Sequence, residues 1–241
     1  MDIRVFDGKK KLASFAADLF SEVIKNNARP VLGLATGASP IDTYKELIKR
    51  FNAGELSFKN VTTFNLDEYC GLPKNDKNSY YTFMMENLFD HVDIDLKNVN
   101  IPDGNAEDPE AYAKEYEEKI KAAGGIDIQL LGIGVNGHIG FNEPTDRFSE
   151  GTHVVKLTDS TIEANSRYFT DSEMPRYAVT MGVGSIMAAK KIVLIATGRA
   201  KAQAVFETVK GEVTPSCPAS ILQTHKDAIL LLDKAAASLL K

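Results

Sequence analysis

The stretch from Val31 to Phe51, Val-Leu-Gly-Leu-Ala-Thr-Gly-Ala-Ser-Pro-Ile-Asp-Thr-Tyr-Lys-Glu-Leu-Ile-Lys-Arg-Phe, decides the fold class. Its first five residues contain no polar side chain, which is typical of a strand covered on both faces in a parallel sheet. Its second half places Tyr44, Leu47 and Ile48 at helical spacing. The stretch therefore predicts a buried β-strand that leads into an amphipathic helix.

The same alternation continues along the chain. Short apolar runs that predict strands lie at Ile3–Phe6, Val31–Ala35, Val61–Phe64, Ile126–Gly132, Thr152–Leu157, Tyr177–Thr180, Ile192–Ala196 and Ala228–Leu232. Helical spacing recurs in Leu12–Val23 and in Tyr112–Ile120. This alternation predicts an α/β fold with a three-layer, doubly wound (Rossmann-like) and mostly parallel sheet. We see no linker, and we expect a single domain over 1–241 with 145–170 as a candidate lid.

Composition excludes several classes of function. The chain has 241 residues and a formal net charge of −5, which argues against nucleic acid or an anionic membrane as a general partner. No apolar stretch reaches the roughly 18 residues that a spanning helix needs. The two cysteines cannot build a disulfide framework, and no motif indicates a metal site. We expect a reduced, soluble, cytoplasmic protein.

A glycine turn after the strand Val31–Ala35 is a candidate anion site. It comprises Thr36, Gly37, Ala38 and Ser39. Glycine lets backbone N–H groups approach an anion, the two hydroxyls add donors, and a helix N-terminus favours negative charge. The alternative is an ordinary strand-to-helix turn capped by Ser39.

Two adjacent carboxylates, Asp67 and Glu68, follow the strand Val61–Phe64. Ligands of open α/β sheets bind beyond the carboxyl ends of the strands, so one of these groups could act as a general base. The alternative is a solvated acidic turn.

The strongest motif is the glycine-rich loop from Gly132 to Pro144, which contains His138, Asn142 and Glu143. Its first glycines match the G-x-G-x-x-G spacing of dinucleotide folds, but such a turn must open a helix directly, and this one does not. We interpret it as a rigid loop that presents an imidazole beside a carboxylate. The alternative is a buried loop histidine bonded to the backbone.

Two cations complete the set of candidate residues. Arg167 lies near the end of a predicted helix, and Lys201 lies at the start of a helix after the strand Ile192–Ala196. Each could bind an anion, or each could be an ordinary surface charge.

These motifs resemble those of the glucosamine-6-phosphate deaminase (glucosamine-6-phosphate isomerase) family of the short bacterial type. The segments that carry the resemblance are Leu32–Gly37, Thr63–Pro73, Gly137–Pro144, Ala164–Arg167 and Thr180–Gly184. Among them, the string Gly-His-Ile-Gly-Phe-Asn-Glu-Pro is the most specific.

The resemblance implies conversion of glucosamine 6-phosphate and water to fructose 6-phosphate and ammonia without a cofactor or metal. His138, oriented by Glu143, would open the sugar ring, and Asp67 would move a proton from C2 to C1 through an enolamine. Thr36–Ser39, Arg167 and Lys201 would hold the phosphate.

The chain also departs from longer members of that family. Many of them have Asp where this chain has Asn136, which we interpret as a support for the histidine loop. Longer, hexameric members are activated by N-acetylglucosamine 6-phosphate through an Arg and a Lys, and those positions hold His153 and Val155 here. We therefore expect a monomer without this activation.

Two rival functions remain open at this point. A 6-phosphogluconolactonase resembles the family in fold and in its Gly-His loop, but typically has a Leu-Phe-Pro-Gly type string where this chain has Phe141–Pro144. A sugar-phosphate sensor without catalysis would bind the ligand and release no ammonia.

Overall fold

The computed structural model describes residues 1–167, 169–170 and 173–240. Tyr168, within the candidate lid, and Asp171, Ser172 and Lys241, within the expected domain, lie outside the described residues. The strands are β1 Asp2–Phe6, β2 Val31–Leu34, β3 Thr62–Asn65, β4 Asp67–Tyr69, β5 Val99–Asn100, β6 Ile128–Leu131, β7 His153–Lys156, β8 Tyr177–Thr180, β9 Lys191–Ala196 and β10 Ala228–Asp233.

The helices alternate with these strands, as the sequence predicts. They are α1 Lys9–Asn26, α2 Ile41–Asn52, α3 Tyr80–Asn87, α4 Pro109–Ala122, α5 Asp159–Ser166, α6 Val183–Met187 and α7 Ala202–Lys210. Short 3₁₀ segments lie at Phe89–His91, Leu96–Asn98, Arg199–Lys201 and Pro218–Thr224. None of the helices in the described part of the chain is long and apolar enough to cross a bilayer.

Seven strands form one parallel sheet in the order β1-β10-β9-β6-β2-β3-β5. The chain builds outward from β2 through β3 to β5, and then returns to β6 on the other side of β2. The strand order thus reverses between β2 and β6. In open α/β sheets a ligand crevice forms at this reversal, outside the carboxyl ends of the strands.

Helices cover both faces of this sheet and give it three layers. One core joins the sheet to α1, α2 and α3 through side chains such as Phe20, Leu47 and Met84. The other core joins the opposite face to α4, α6 and α7 through side chains such as Tyr116 and Ile186. The predicted three-layer, doubly wound fold is confirmed.

A second, smaller sheet contains two of the predicted strands, β7 and β8, which fits the expectation of a mostly parallel arrangement. The strands β4, β8 and β7 form a separate antiparallel sheet in that order. Along β7, residues alternate between half-buried and exposed, which is the pattern of a strand with one solvated face. The short β4 and β5 and the helix α3 were not predicted, since none of them has a clear period in the sequence.

Candidate active site

The loops after β2 and β6 lie side by side at the reversal of strand order. A Cβ atom placed on Gly132, which follows β6, would lie 3.5 Å from Oγ of Ser39, which follows β2. The strand pairing accounts for this contact, since Leu32 and Gly33 of β2 pair with Ile128 and Gln129 of β6. The fold therefore brings the predicted anion turn against the predicted histidine loop.

The anion turn presents free backbone donors. Gly37 has a φ of 86°, a conformation that other residues rarely adopt. Among the described residues, no acceptor bonds the N–H groups of Gly37, Ala38 or Ser39. The alternative of a Ser39 cap is not what the structure has, because Pro40 is the N-cap of α2 and no side chain caps this end.

Two tyrosines contact the turn, the buried Tyr44 and the partly buried Tyr80. The Tyr44 hydroxyl donates to the carbonyl oxygen of Ala35 at 2.6 Å and accepts from its N–H at 3.2 Å. Tyr80, the first residue of α3, lies beside the Thr36 side chain, and its hydroxyl donates to Oη of Tyr69 in β4 at 3.2 Å. The turn is thereby joined to α3 and to β4. Sequence reasoning missed Tyr80, which has no motif of its own.

The histidine loop is shaped by its glycines. A Cβ atom on Gly134 would lie 2.4 Å from Nδ1 and Cε1 of His138, so only glycine lets the imidazole lie against the backbone. Gly137 has a φ of 84°, and the N–H of Gly134 donates to the carbonyl oxygen of His138 at 2.9 Å. No helix follows the loop, which confirms that it is not a dinucleotide turn.

Glu143 lies beside the imidazole. Its Oε1 is 3.2 Å from Nδ1 of His138, at an angle outside hydrogen-bond geometry. Oε1 also accepts the Thr161 hydroxyl, and Oε2 accepts Nδ2 of Asn136 at 2.6 Å. Asn136 further accepts the N–H of His138 through Oδ1 at 3.2 Å.

These contacts keep Glu143 ionised. Burial alone would raise its pKa, but the neighbouring imidazole and the hydrogen bonds from Thr161 and Asn136 outweigh burial and lower the pKa to about 2. Glu143 is therefore a carboxylate at neutral pH. A fixed negative charge beside Nδ1 favours one orientation of the imidazole.

Asp67 and Glu68 do not form the acidic turn that the sequence suggests, because both lie in β4. Alternation along the strand sends their side chains to opposite faces. Glu68 accepts the N–H groups of Tyr69, Tyr80 and Tyr81, each at 2.9 Å, and so caps the N-terminal end of α3. Backbone N–H groups bond both oxygens of its carboxylate, so Glu68 is not available to a ligand.

Asp67 has the opposite surroundings. It is only 6% exposed, and among the described residues no donor bonds its carboxyl. Burial, and secondarily the charge of Glu68, raise the pKa of Asp67 to about 8. A carboxyl with this pKa suits the transfer of a proton near neutrality.

The loop of His138 passes directly over Asp67. A Cβ atom on Gly140 would lie 3.5 Å from Oδ2 of Asp67 and 3.0 Å from Oγ1 of Thr180. Thr180 pairs with Asp67 across β4 and β8, and its hydroxyl accepts the N–H of Phe141 at 3.1 Å. Thr180 and Gly140, which are far apart in sequence, thus bring Asp67 against the histidine loop.

The side chains of Thr180 and Asn142 support this site through hydrogen bonds, and the sequence analysis assigned neither of them a role. The amide of Asn142 donates to the carbonyl oxygens of Ile139 and Met181, both at 2.9 Å, and its Oδ1 accepts the Ser149 hydroxyl. Asn142 was part of the quoted loop motif, and its burial is the signal that it supports the loop.

The two predicted cations lie at different places. Lys201 ends the 3₁₀ segment after β9, and β9 itself lies two strands from β2, which is roughly 10 Å across the sheet. Burial lowers the pKa of its amine, and none of the ion pairs in the described part of the chain involves it. Arg167 is exposed and caps the C-terminal end of α5.

The remaining candidates have structural surroundings. His91, His153 and His225 each bond a backbone carbonyl oxygen, those of Glu86, Gly151 and Ala189 respectively. Burial and the nearby Glu68 raise the pKa of Cys70, which makes its thiol a poor nucleophile. Within the described ranges, no group of three histidine, cysteine or acidic side chains could hold a metal ion.

The fold and the site define a class of protein: an α/β enzyme with ionisable side chains gathered at the carboxyl edge of its parallel sheet. The family model of glucosamine-6-phosphate isomerases/6-phosphogluconolactonase matches residues 7–231. The chain belongs to this family.

Relatives and solved structures agree with this assignment. The chain is 52% identical, over the full length of both chains, to a glucosamine-6-phosphate deaminase of Alkaliphilus oremlandii. A deaminase of Clostridium botulinum is 50% identical over 100% of this chain and 99% of its own. A solved structure of a monomeric glucosamine-6-phosphate deaminase matches with a TM-score of 0.96 and 45% identity, over 99% of this chain and 100% of that one.

Lactonases share the architecture at much lower identity. A 6-phosphogluconolactonase of Trypanosoma brucei matches with a TM-score of 0.76 and 20% identity, over 100% of this chain and 98% of that one. This likeness shows a common fold and nothing about the reaction.

Proposed function

We propose that this enzyme converts glucosamine 6-phosphate and water to fructose 6-phosphate and ammonia. The observation that carries the proposal is the buried Asp67 carboxyl against the loop that holds His138 and Glu143. Deaminases about 50% identical over the whole chain support the same reaction. The chemistry needs proton transfers at two positions of one sugar, and the site offers two groups suited to them.

His138 opens the pyranose ring. Ring opening moves a proton from the C1 hydroxyl to the ring oxygen, so it needs a group that both accepts and donates near neutral pH, as imidazole does. The carboxylate of Glu143 beside Nδ1 stabilises the imidazolium that forms in between, and Asn136 holds that carboxylate. Glu143 and Asn136 act through His138.

Asp67 carries out the aldose–ketose shift. Its carboxylate takes the proton from C2 of the open-chain aldehyde, which gives an enolamine, and returns it to C1. The resulting imine at C2 is hydrolysed by water, which releases ammonia and leaves the ketone of fructose 6-phosphate. One base serves both carbons because they are adjacent, and burial gives Asp67 the basicity for the task.

The phosphate is the handle that fixes the sugar. The free N–H groups of the turn Thr36–Ser39 receive it, and Lys201 and Arg167 supply positive charge. Binding energy at this remote group holds C1 and C2 in place for reaction.

We further propose that the chain acts as a single-domain cytoplasmic monomer, without partners other than its substrate and without activation by N-acetylglucosamine 6-phosphate. The monomeric deaminase that matches over nearly the whole chain supports the proposal of a monomer. Val155, at a position where longer relatives have a cation, packs among apolar side chains instead of offering a charge. A sugar phosphate is retained inside the cell, which supports the location.

The test is a coupled assay for ammonia with glucosamine 6-phosphate, beside an assay for hydrolysis of 6-phosphogluconolactone. We expect ammonia release and no turnover of the lactone. Lactone hydrolysis without ammonia would identify a lactonase. Binding of glucosamine 6-phosphate with neither reaction would identify a sensor.

A further inference from the structure

Thr161 contacts the catalytic pair from outside the loop. It lies in the first turns of α5, is 5% exposed, and donates its hydroxyl to Oε1 of Glu143. Oε1 is the same oxygen that faces Nδ1 of His138 at 3.2 Å. The Thr161 hydroxyl therefore bonds Oε1, the oxygen of Glu143 that contacts the imidazole.

The other oxygen of Glu143 is held from within the loop. Oε2 accepts Nδ2 of Asn136, seven residues earlier in the chain, whereas Thr161 is 18 residues later. The Nδ1–Oε1 contact at 3.2 Å lies outside good hydrogen-bond geometry, so the other partners of Glu143 matter for its placement. Thr161 therefore holds Oε1 of the carboxylate, and Asn136 holds Oε2.

We propose that Thr161 is a positioning residue for ring opening, which holds Glu143 against His138. The inference rests on the proposed function, because it assigns Thr161 to one step of that reaction. Arg167, in the proposed phosphate site, caps the C-terminal end of the same helix. A phosphate bound at Arg167 fixes α5, and Thr161 passes that placement to the carboxylate of Glu143.

Substitutions at position 161 separate the hydroxyl from the shape of the side chain. In Thr161→Val the bond to Glu143 is lost and the volume is kept, and we expect kcat to fall about tenfold, as for one lost hydrogen bond to a charged group. KM should change less than about threefold. Thr161→Ser keeps the hydroxyl and should retain most of the turnover, while Thr161→Ala should lose it as Val does.

A second background tests whether Thr161 acts through the imidazole. In His138→Gln, adding Thr161→Val should lower the residual kcat less than about twofold, since residues that act as a unit are not additive. The control is Ser21→Ala, which removes a buried hydroxyl in α1 that donates to the carbonyl oxygen of Ala17. It should leave kcat unchanged.

The outcomes distinguish failure of the proposed function from failure of the Thr161 inference. If the wild type releases no ammonia, the proposed function fails. If the wild type is active and Thr161→Val matches it, the inference is overturned. An equal loss in both backgrounds, or an equal loss in Ser and Val, also overturns it. Should Val fail to fold, the comparison of Ala with Ser decides in the same way.

Discussion

At the scale of single residues, adjacent carboxyls have opposite roles. Glu68 is satisfied by three N–H groups, whereas Asp67 is buried with no donor in the described part of the chain. The sequence identified the pair but could not choose between them, because the choice depends on β4, which brings the next helix onto one face only. Burial of an unpaired carboxyl opposes folding, and a functional site is where such a cost is tolerated.

The Asp67→Asn substitution should lower kcat by at least about a hundredfold, because it removes the general base. KM should stay within a few-fold, since the phosphate contacts remain. The ammonia assay measures both. Turnover near that of the wild type would remove Asp67 from the mechanism.

The matched change is Glu68→Gln. It disturbs the cap of α3 and should lower the free energy of unfolding by about 1–3 kcal/mol, with far less effect on kcat than Asp67→Asn. Urea unfolding and the ammonia assay separate the two effects. Equal losses of turnover in both variants would show that the pair acts as one unit.

The raised pKa of Asp67 predicts a pH dependence of activity. The base must be ionised, so kcat/KM should rise with pH and level off above about 8. A profile that is already level at pH 6 would contradict the surroundings described for Asp67.

The same shift predicts a pH dependence of stability. Between the unfolded pKa near 3.8 and the folded value of about 8, the native state holds a proton that the unfolded state releases. The free energy of unfolding should therefore fall with rising pH across this window, by at most about 1.4 kcal/mol per pH unit. Asp67→Asn should remove this slope, as urea unfolding at several pH values would show.

At the scale of elements, the parallel strands and their long helices were predictable, and β4 was not. Runs such as Ile192–Ala196 are apolar on both faces and leave no other assignment. By contrast, β4 has three residues, two of them acidic, and it is a strand only because Thr180 and its neighbours in β8 pair with it. Pairing partners distant in sequence leave no local signal.

The histidine loop gives a prediction at this scale. Gly134→Ala would place a methyl group 2.4 Å from atoms of the His138 ring, so the ring must move. We expect kcat to fall by about tenfold or more from the misplaced imidazole. In the control Gly151→Ala, the nearest atom to the new methyl group is at an ordinary 3.6 Å, and turnover should be retained. Wild-type turnover in Gly134→Ala would mean that the ring position is not critical.

At the scale of the whole molecule, the reversal of strand order between β2 and β6 places the site. The sequence predicted that loops at the carboxyl ends would meet, because every parallel strand ends at the same edge. It could not predict the contribution of the antiparallel sheet, which carries Asp67 to that edge from outside the main sheet. Fold class was thus readable from local patterns, whereas the convergence of the site depended on the register between two sheets.

The proposed absence of activation concerns the molecule as a whole. Initial rates should follow a hyperbola in glucosamine 6-phosphate and should not change when N-acetylglucosamine 6-phosphate is added. Light scattering should give the mass of one chain, 26.4 kDa. A sigmoidal curve that the acetylated sugar flattens, or a larger particle, would contradict this expectation.

The candidate lid leads to a further prediction at this scale. Residues 145–170 include β7 and α5, which join the second sheet and the carboxylate of Glu143. If phosphate binding orders this stretch, a substrate analogue should slow its cleavage by a protease. Cleavage at the same rate with and without the analogue would count against a lid.

The most direct measurement is a crystal structure of the Asp67→Asn variant with glucosamine 6-phosphate bound. The account predicts one sugar with C2 within about 3.5 Å of the side chain at position 67. The ring oxygen should lie within hydrogen-bond reach of His138, and the phosphate on the turn Thr36–Ser39. A sugar that contacts only one of these three groups, or that lies away from all of them, would contradict it.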